Sequence, residues 1–403
     1  MKQIGNIALG VVTSIAGFVD VGTVATAALA GAIYGFQLLW VIALATACAI
    51  FLTEMSGRLA AVSHHTIADA VRERLGFRYF TFPLIVEIIV DLVLLAAEIG
   101  GTAVALHLVT GVDFRWFVPL VALVSWLLLW FGTFGMIENG VSLLGLLTLV
   151  FVYAAWKLGF SWHEVGLGLV PSLPSSDPVK YWFIAVSIIG SIYQPYVFNF
   201  YASGAVEDKW TLKDLPANRV VATIGMAFGG LVAMGVLVTA ALTLGPHGIH
   251  VDSYEQAALM LNPALGSWGV PLFAAALGIA CFLTVLPVAL NLAYLVAQGM
   301  GWNWSENLKP QEDARFALVY TIAIPVSMTI ALLGEPLSLT LVSMALNAVI
   351  ASIVLAPLLM LMNDRAYLRE YTNGPIGNVI GVLIILLAVV IGIAAIPLEV
   401  FGG

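Results

Sequence analysis

Charge is what this chain has least of. Only 9% of its 403 residues are Asp, Glu, Lys or Arg, against about 25% in soluble domains. Too little charge is present to lay a wet surface around a core of this size, which excludes an ordinary water-soluble globule. Basic residues are scarcer than acidic ones, and the net charge of −8 excludes the basic footprint of a nucleic-acid-binding protein. Cysteine is nearly absent: Cys48 and Cys281 both lie inside apolar runs. They read as small packing residues, with no disulfide or thiolate site. The first twenty residues hold one Lys and no small-residue cleavage site, so a removable leader is not expected. No nucleophile stands beside a base, so neither an enzyme nor a bound cofactor is expected. No soluble domain, linker or low-complexity tract interrupts the chain.

What the chain has instead is apolar length, 61% of its residues. Apolar runs long enough to cross a hydrocarbon core of about 30 Å recur from end to end. They predict an all-α transmembrane protein of about eleven spans, near 4–33, 36–62, 79–108, 115–133, 138–160, 179–203, 217–245, 270–298, 313–333, 336–362 and 374–400. Polar or Gly/Pro-rich breaks separate them. With the N-terminus in the cytoplasm, strict alternation leaves only Arg115, Lys157 and Lys180 of the fifteen Lys and Arg on the far side. That bias predicts a multi-pass protein of the cell (inner or plasma) membrane, its C-terminus outside, surrounded by lipid; a monomer is expected. Residues 66–75, with Arg72 and Arg74, form a short amphipathic stretch expected to lie on the inner leaflet. His247, His250 and Asp252 read as a solvated outer loop.

Ionisable groups inside spans cost at least ~2.5–3.5 kcal/mol each and mark function by default. Asp20 in the first span and Glu87, Asp91 and Glu98 in the third qualify, and no Lys or Arg lies deep enough to pair with them. They must be protonated, wet, or neutralised by a cation that comes and goes. At about 100° per residue, the three acids of the third span share one stripe about 16 Å long, which suits a wet or proton-conducting route. Asp20 is flanked by Gly17 and Gly22, and the sixth span carries Gln194-Pro195-Tyr196. A mid-span proline frees a carbonyl one turn earlier, and such unwound backbone is tolerated at membrane depth where it lines a cavity. Two breaks five spans apart are the mark of an inverted-repeat transporter with a midplane site. The expected repeats cover about 4–160 and 179–362, followed by an extra span, 374–400, in a single transmembrane domain.

At these residues the chain resembles the NRAMP family of divalent metal transporters, which have the LeuT fold. Asp20-Val21-Gly22-Thr23 stands where the family has Asp-Pro-Gly-Asn, and Gln194-Pro195-Tyr196 stands where it has Met-Pro-His. Ala97-Glu98-Ile99-Gly100-Gly101-Thr102 is similar to the family's third span, and 357–374 is similar to the end of its tenth. The resemblance implies a metal site at Asp20, Thr23, Ser191 and Gln194, with helix breaks at Gly22 and Pro195. Glu87, Asp91, Glu98, Tyr196, Asn199, Tyr201 and Asn347 are the candidates for a pathway. The departures carry their own implications. The family binds Mn²⁺ or Fe²⁺ with the sulfur of the Met that Gln194 replaces, so the remaining set is all oxygen and suits Mg²⁺, Ca²⁺ or Mn²⁺, with Mg²⁺-like chemistry favoured over Fe²⁺-like. Leu95, Tyr196 and Tyr201 stand where the family has titratable residues, and Met344 and Ile350 where it has glutamines. Weakened or absent proton coupling is therefore expected. The alternatives keep the fold and change the role: a carrier of a small organic or inorganic solute, or a substrate sensor that does not transport.

Overall fold

The computed structural model describes residues 19–132, 144–174, 176–305 and 309–402, with side chains as far as 394. Among the described residues there are helices and no strands. A lipid core offers no water to backbone N–H and C=O groups, so each segment satisfies its own. Nine helical stretches are long and apolar enough to cross a membrane, and two shorter apolar helices, Val21–Tyr34 and Leu146–Leu158, bring the set to eleven. The first half of the expected first span, 4–18, and the start of the fifth, in 133–143, lie outside the described residues.

The third span, Phe77–Thr110, is the axis of the molecule. At 34 residues it is about 51 Å long. It packs along the eighth (Gly269–Met300), tenth (Pro336–Leu361), ninth (Ala314–Leu333) and fourth (Phe114–Phe131) spans. Gly111, with φ 71, stops it in the left-handed conformation that glycine adopts without strain. The first span, Val21–Tyr34, lies in a groove of the seventh, Leu215–Thr243. The groove closes at Gly31, where a Cβ would run into the carbonyl oxygen of Leu237. Small residues let membrane helices approach this closely, and close approach replaces the hydrophobic drive that lipid removes.

The sixth span is two helices, Pro178–Ile192 and Pro195–Glu207. The amphipathic stretch after the second span (Leu39–Ser63) is a helix, Ile67–Leu75, but its apolar face is spent on protein. Ile67, Ala68, Ala70 and Val71 are buried against the third, eighth and tenth spans, which corrects the expectation that this face lies on lipid. The loop after the seventh span is also more ordered than its composition suggests. It forms Tyr254–Ala258 and further short turns, and Tyr254 hydrogen-bonds Thr340 of the tenth span at 2.9 Å.

Polar ties gather at the two ends of the bundle. At one, the Tyr34 hydroxyl donates to the Asp177 carbonyl (2.9 Å) and the Trp40 indole to Tyr181 (3.2 Å). At the other, Arg58 pairs with Glu54 at 3.2 Å and donates to the Tyr371 carbonyl and Asn373. Arg74 pairs there with Asp364 at 2.5 Å, and Arg72 donates to the Gln298 carbonyl at 2.7 Å.

Candidate functional site

The sixth span breaks because Pro195 has no N–H to give. In a continuous helix that N–H would bond the carbonyl of Ser191, four residues earlier. The chain instead leaves the helix at Tyr193 (φ −120, ψ 76), runs extended through Gln194 (φ −96, ψ 132) and restarts with Pro195 in the first turn, where proline is at home. The freed Ser191 carbonyl accepts from Gln194 Nε2 at 3.0 Å.

The described helix of the first span begins on an acid. Asp20 is the N-cap of Val21–Tyr34, and its Oδ1 accepts from the Thr23 backbone N–H and the Thr23 hydroxyl, both at 2.7 Å. An acid there caps unpaired N–H groups and faces the positive end of the helix dipole. The Val21 N–H turns to the third span instead and donates to Glu98, at 3.3 and 3.4 Å to its two oxygens. Gly22 lies in the first turn of the helix that starts after the extended Asp20. Its missing side chain serves packing: a Cβ on Gly22 would run into the Met344 thioether, and one on Gly190 into the Met344 carbonyl. These two glycines let the tenth span press against the first and sixth spans.

Three acceptors of different chemistry meet at one atom. Gln194 Nε2 donates to Asp20 Oδ2 at 2.5 Å and to the Ser191 carbonyl at 3.0 Å, and lies 3.4 Å from Met344 Sδ. Gln194 Oε1 is buried with no partner among the described residues. Asp20, Ser191, Gln194 and Met344 are between 0% and 5% exposed. Asp20, Thr23, Ser191 and Gln194 are thus brought together, with Thr23 supporting Asp20 and Ser191 offering its carbonyl. The Ser191 hydroxyl donates to Ile188 O and meets Thr26 at 3.3 Å. Beside these oxygens, Met344 of the tenth span brings a sulfur to the same amide nitrogen.

The pathway candidates divide. Glu98 reaches the first span, Asp91 accepts from Asn291 of the eighth at 2.8 Å, and Glu87 accepts from Asn199 of the sixth. Tyr196 is buried in the apolar cluster that includes Met344. Asn347 lies one turn from Met344 and bonds the Ser343 carbonyl. Tyr201 faces away: its hydroxyl donates to Asn218, which in turn donates to the Glu54 carbonyl. Sequence reasoning missed Met344 as a ligand candidate and Asn291 altogether. An amide in the middle of an apolar run was a signal for Asn291; a methionine in one looks like packing.

The sequence model of the Natural resistance-associated macrophage protein-like (Nramp) family matches residues 10–397. The chain belongs to the Nramp family. Among its Nramp relatives, the divalent metal cation transporter MntH of Aeromonas hydrophila is 29% identical over 398 residues, covering 94% of this chain and 92% of that one. MntH of Yersinia enterocolitica is 27% identical over 397 residues, covering 94% and 91%. The crystal structure of the Eremococcus coleocola manganese transporter, in complex with an aromatic bis-isothiourea substituted compound, has a TM-score of 0.81 at 20% identity. It covers 98% of this chain and 86% of its own. Mhp1, a nucleobase-cation-symport-1 family transporter, has a TM-score of 0.61 at 13% identity, covering 97% and 92%. At these identities the likeness is one of fold, the LeuT type. This Nramp chain is accordingly a multi-pass membrane transporter and not an enzyme.

Proposed function

We propose that this chain carries a divalent cation across the membrane, and that Mn²⁺ fits its site better than Mg²⁺. The cation is held between the first and sixth spans by Asp20 Oδ2, the Ser191 carbonyl, the Met344 thioether and Gln194 Oε1, with Thr23 steadying Asp20. The convergence of carboxylate, carbonyl and sulfur on Gln194 Nε2 carries this reading. A cation among the same three acceptors requires the amide to turn over, which brings its unpartnered oxygen to the ion. Oxygen alone would suit Mg²⁺, but a thioether adds little to a hard ion and more to a borderline one. The names of the relatives, divalent metal cation transporter and manganese transporter, agree with that class.

Coupling to protons is weak or absent in this reading. Leu95, Tyr196 and Tyr201 have no group that titrates near neutral pH. Glu87, Asp91 and Glu98 of the third span are left, and Glu98 holds the first turn of the first span through the Val21 N–H. Two five-span repeats, about 4–160 and 179–362, rock around the site, with 374–400 packed outside them. The deciding experiment is uptake into proteoliposomes, comparing Mn²⁺, Cd²⁺ and Mg²⁺ with a panel of amino acids and organic acids. Mn²⁺ uptake competed by Cd²⁺ is expected. Flux confined to the organic panel would sink the proposal.

A further inference from the structure

A second group of buried oxygens lies further along the third span. Asp91 is about 10 Å from Glu98 along the helix, towards the end that carries Arg58, Arg72 and Arg74. Glu87 and Asp91 are one turn apart and so share a face. Glu87 accepts from Asn199 of the sixth span, and Asp91 Oδ2 accepts from Asn291 of the eighth. All four residues are at most 5% exposed. Three further oxygens of the group, Asp91 Oδ1, Asn199 Oδ1 and Asn291 Oδ1, have no hydrogen-bond partner among the described residues. Among the described residues, no Lys, Arg or His pairs with either acid.

Buried polar atoms without partners are rare in proteins, and here three belong to one group of side chains built on two acids a turn apart, all of them acceptors. A proton would serve one of them. A metal ion faces several at once, and a divalent ion matches the formal charge of two carboxylates. Oxygen-only donors select hard cations. We infer that Glu87, Asp91, Asn199 and Asn291 form a second divalent-cation site, made of oxygen alone. Its role as a stop for the same cargo after Asp20 rests on the function proposed above; its existence does not.

The test is equilibrium binding of Mn²⁺ and Mg²⁺ to the purified full-length protein in detergent. Two Mn²⁺ per chain are expected in the wild type. Asp20→Asn should keep one ion, at a site that takes Mg²⁺ as well as Mn²⁺. Asp91→Asn should keep the other, and that retained ion also certifies its fold. Asn291→Ser leaves both acids and should weaken the second ion by roughly tenfold or more, about 1.4 kcal/mol. The inference is overturned if Asp20→Asn binds neither ion at millimolar concentration, if it binds only Na⁺, or if Asn291→Ser changes nothing. A wild type that binds one ion, kept in Asp20→Asn and lost in Asp91→Asn, would support this site and remove the one proposed at Asp20.

Discussion

Asp20 has two carboxylate oxygens, and the structure gives them different partners. Oδ1 serves the helix through Thr23, while Oδ2 faces Gln194 across the break. In Asp20→Asn an amide oxygen can still cap the helix, since Asn is as good an N-cap as Asp. Stability should therefore change by less than about 1 kcal/mol, while Mn²⁺ uptake is lost. Wild-type flux from a normally melting Asp20→Asn protein would move the site elsewhere. Met344→Leu conserves volume and removes the sulfur. Isothermal titration should show Cd²⁺ affinity falling by roughly tenfold, Mn²⁺ less, and Mg²⁺ not at all. Equal losses for all three ions would mean that Met344 only packs. Asp20 and Gln194 were legible in the sequence because an acid and a proline break are conspicuous in lipid. Met344 was not, because a thioether reads as core until a neighbour shows where it points.

The element that decides the site is the two-residue gap between Ile192 and Pro195. Pro195→Ala restores an N–H that the Ser191 carbonyl can accept, so the sixth span should close into one helix. A continuous sixth span with proline in its interior would cost about 3 kcal/mol or more, a cost the alanine variant does not carry. The melting temperature should hold or rise while uptake collapses, a split that melting and flux on one preparation would read. Uptake close to wild type would show that the break is not needed. Span positions were legible because the hydrocarbon core demands apolar helices of a set length. Faces were harder. The helix Ile67–Leu75 has the pattern of an interfacial helix, and whether its apolar side meets lipid or protein depends on a neighbour that the pattern does not name. The same holds for Gly22, whose role lies in the room it leaves for another span.

For the whole molecule, the order of the spans and the pairing of the two breaks could be read from the chain. Which sides of the spans meet could not, because packing in lipid rests on shape among chemically similar surfaces. Coupling is a property at this scale. Mn²⁺ entering liposomes loaded with a pH dye should leave the lumen unacidified, given Leu95, Tyr196 and Tyr201. Acidification that depends on Mn²⁺ and disappears in Glu98→Gln would show that the third span carries protons unaided. The two ends of the bundle have a consequence of another kind. Arg58 and Arg74 hold one end with arginine ion pairs, while at the other Tyr34 and Trp40 give neutral hydrogen bonds beside a His107–Glu255 contact at 3.4 Å. The Debye length shrinks from about 10 Å at 0.1 M salt to about 3 Å at 1 M. Salt therefore loosens the arginine end, the exposed Arg74 pair first, and touches the tyrosine end less. Ionic strength becomes a sided lever: concentrated salt in one compartment should change the turnover rate more than the same salt in the opposite compartment.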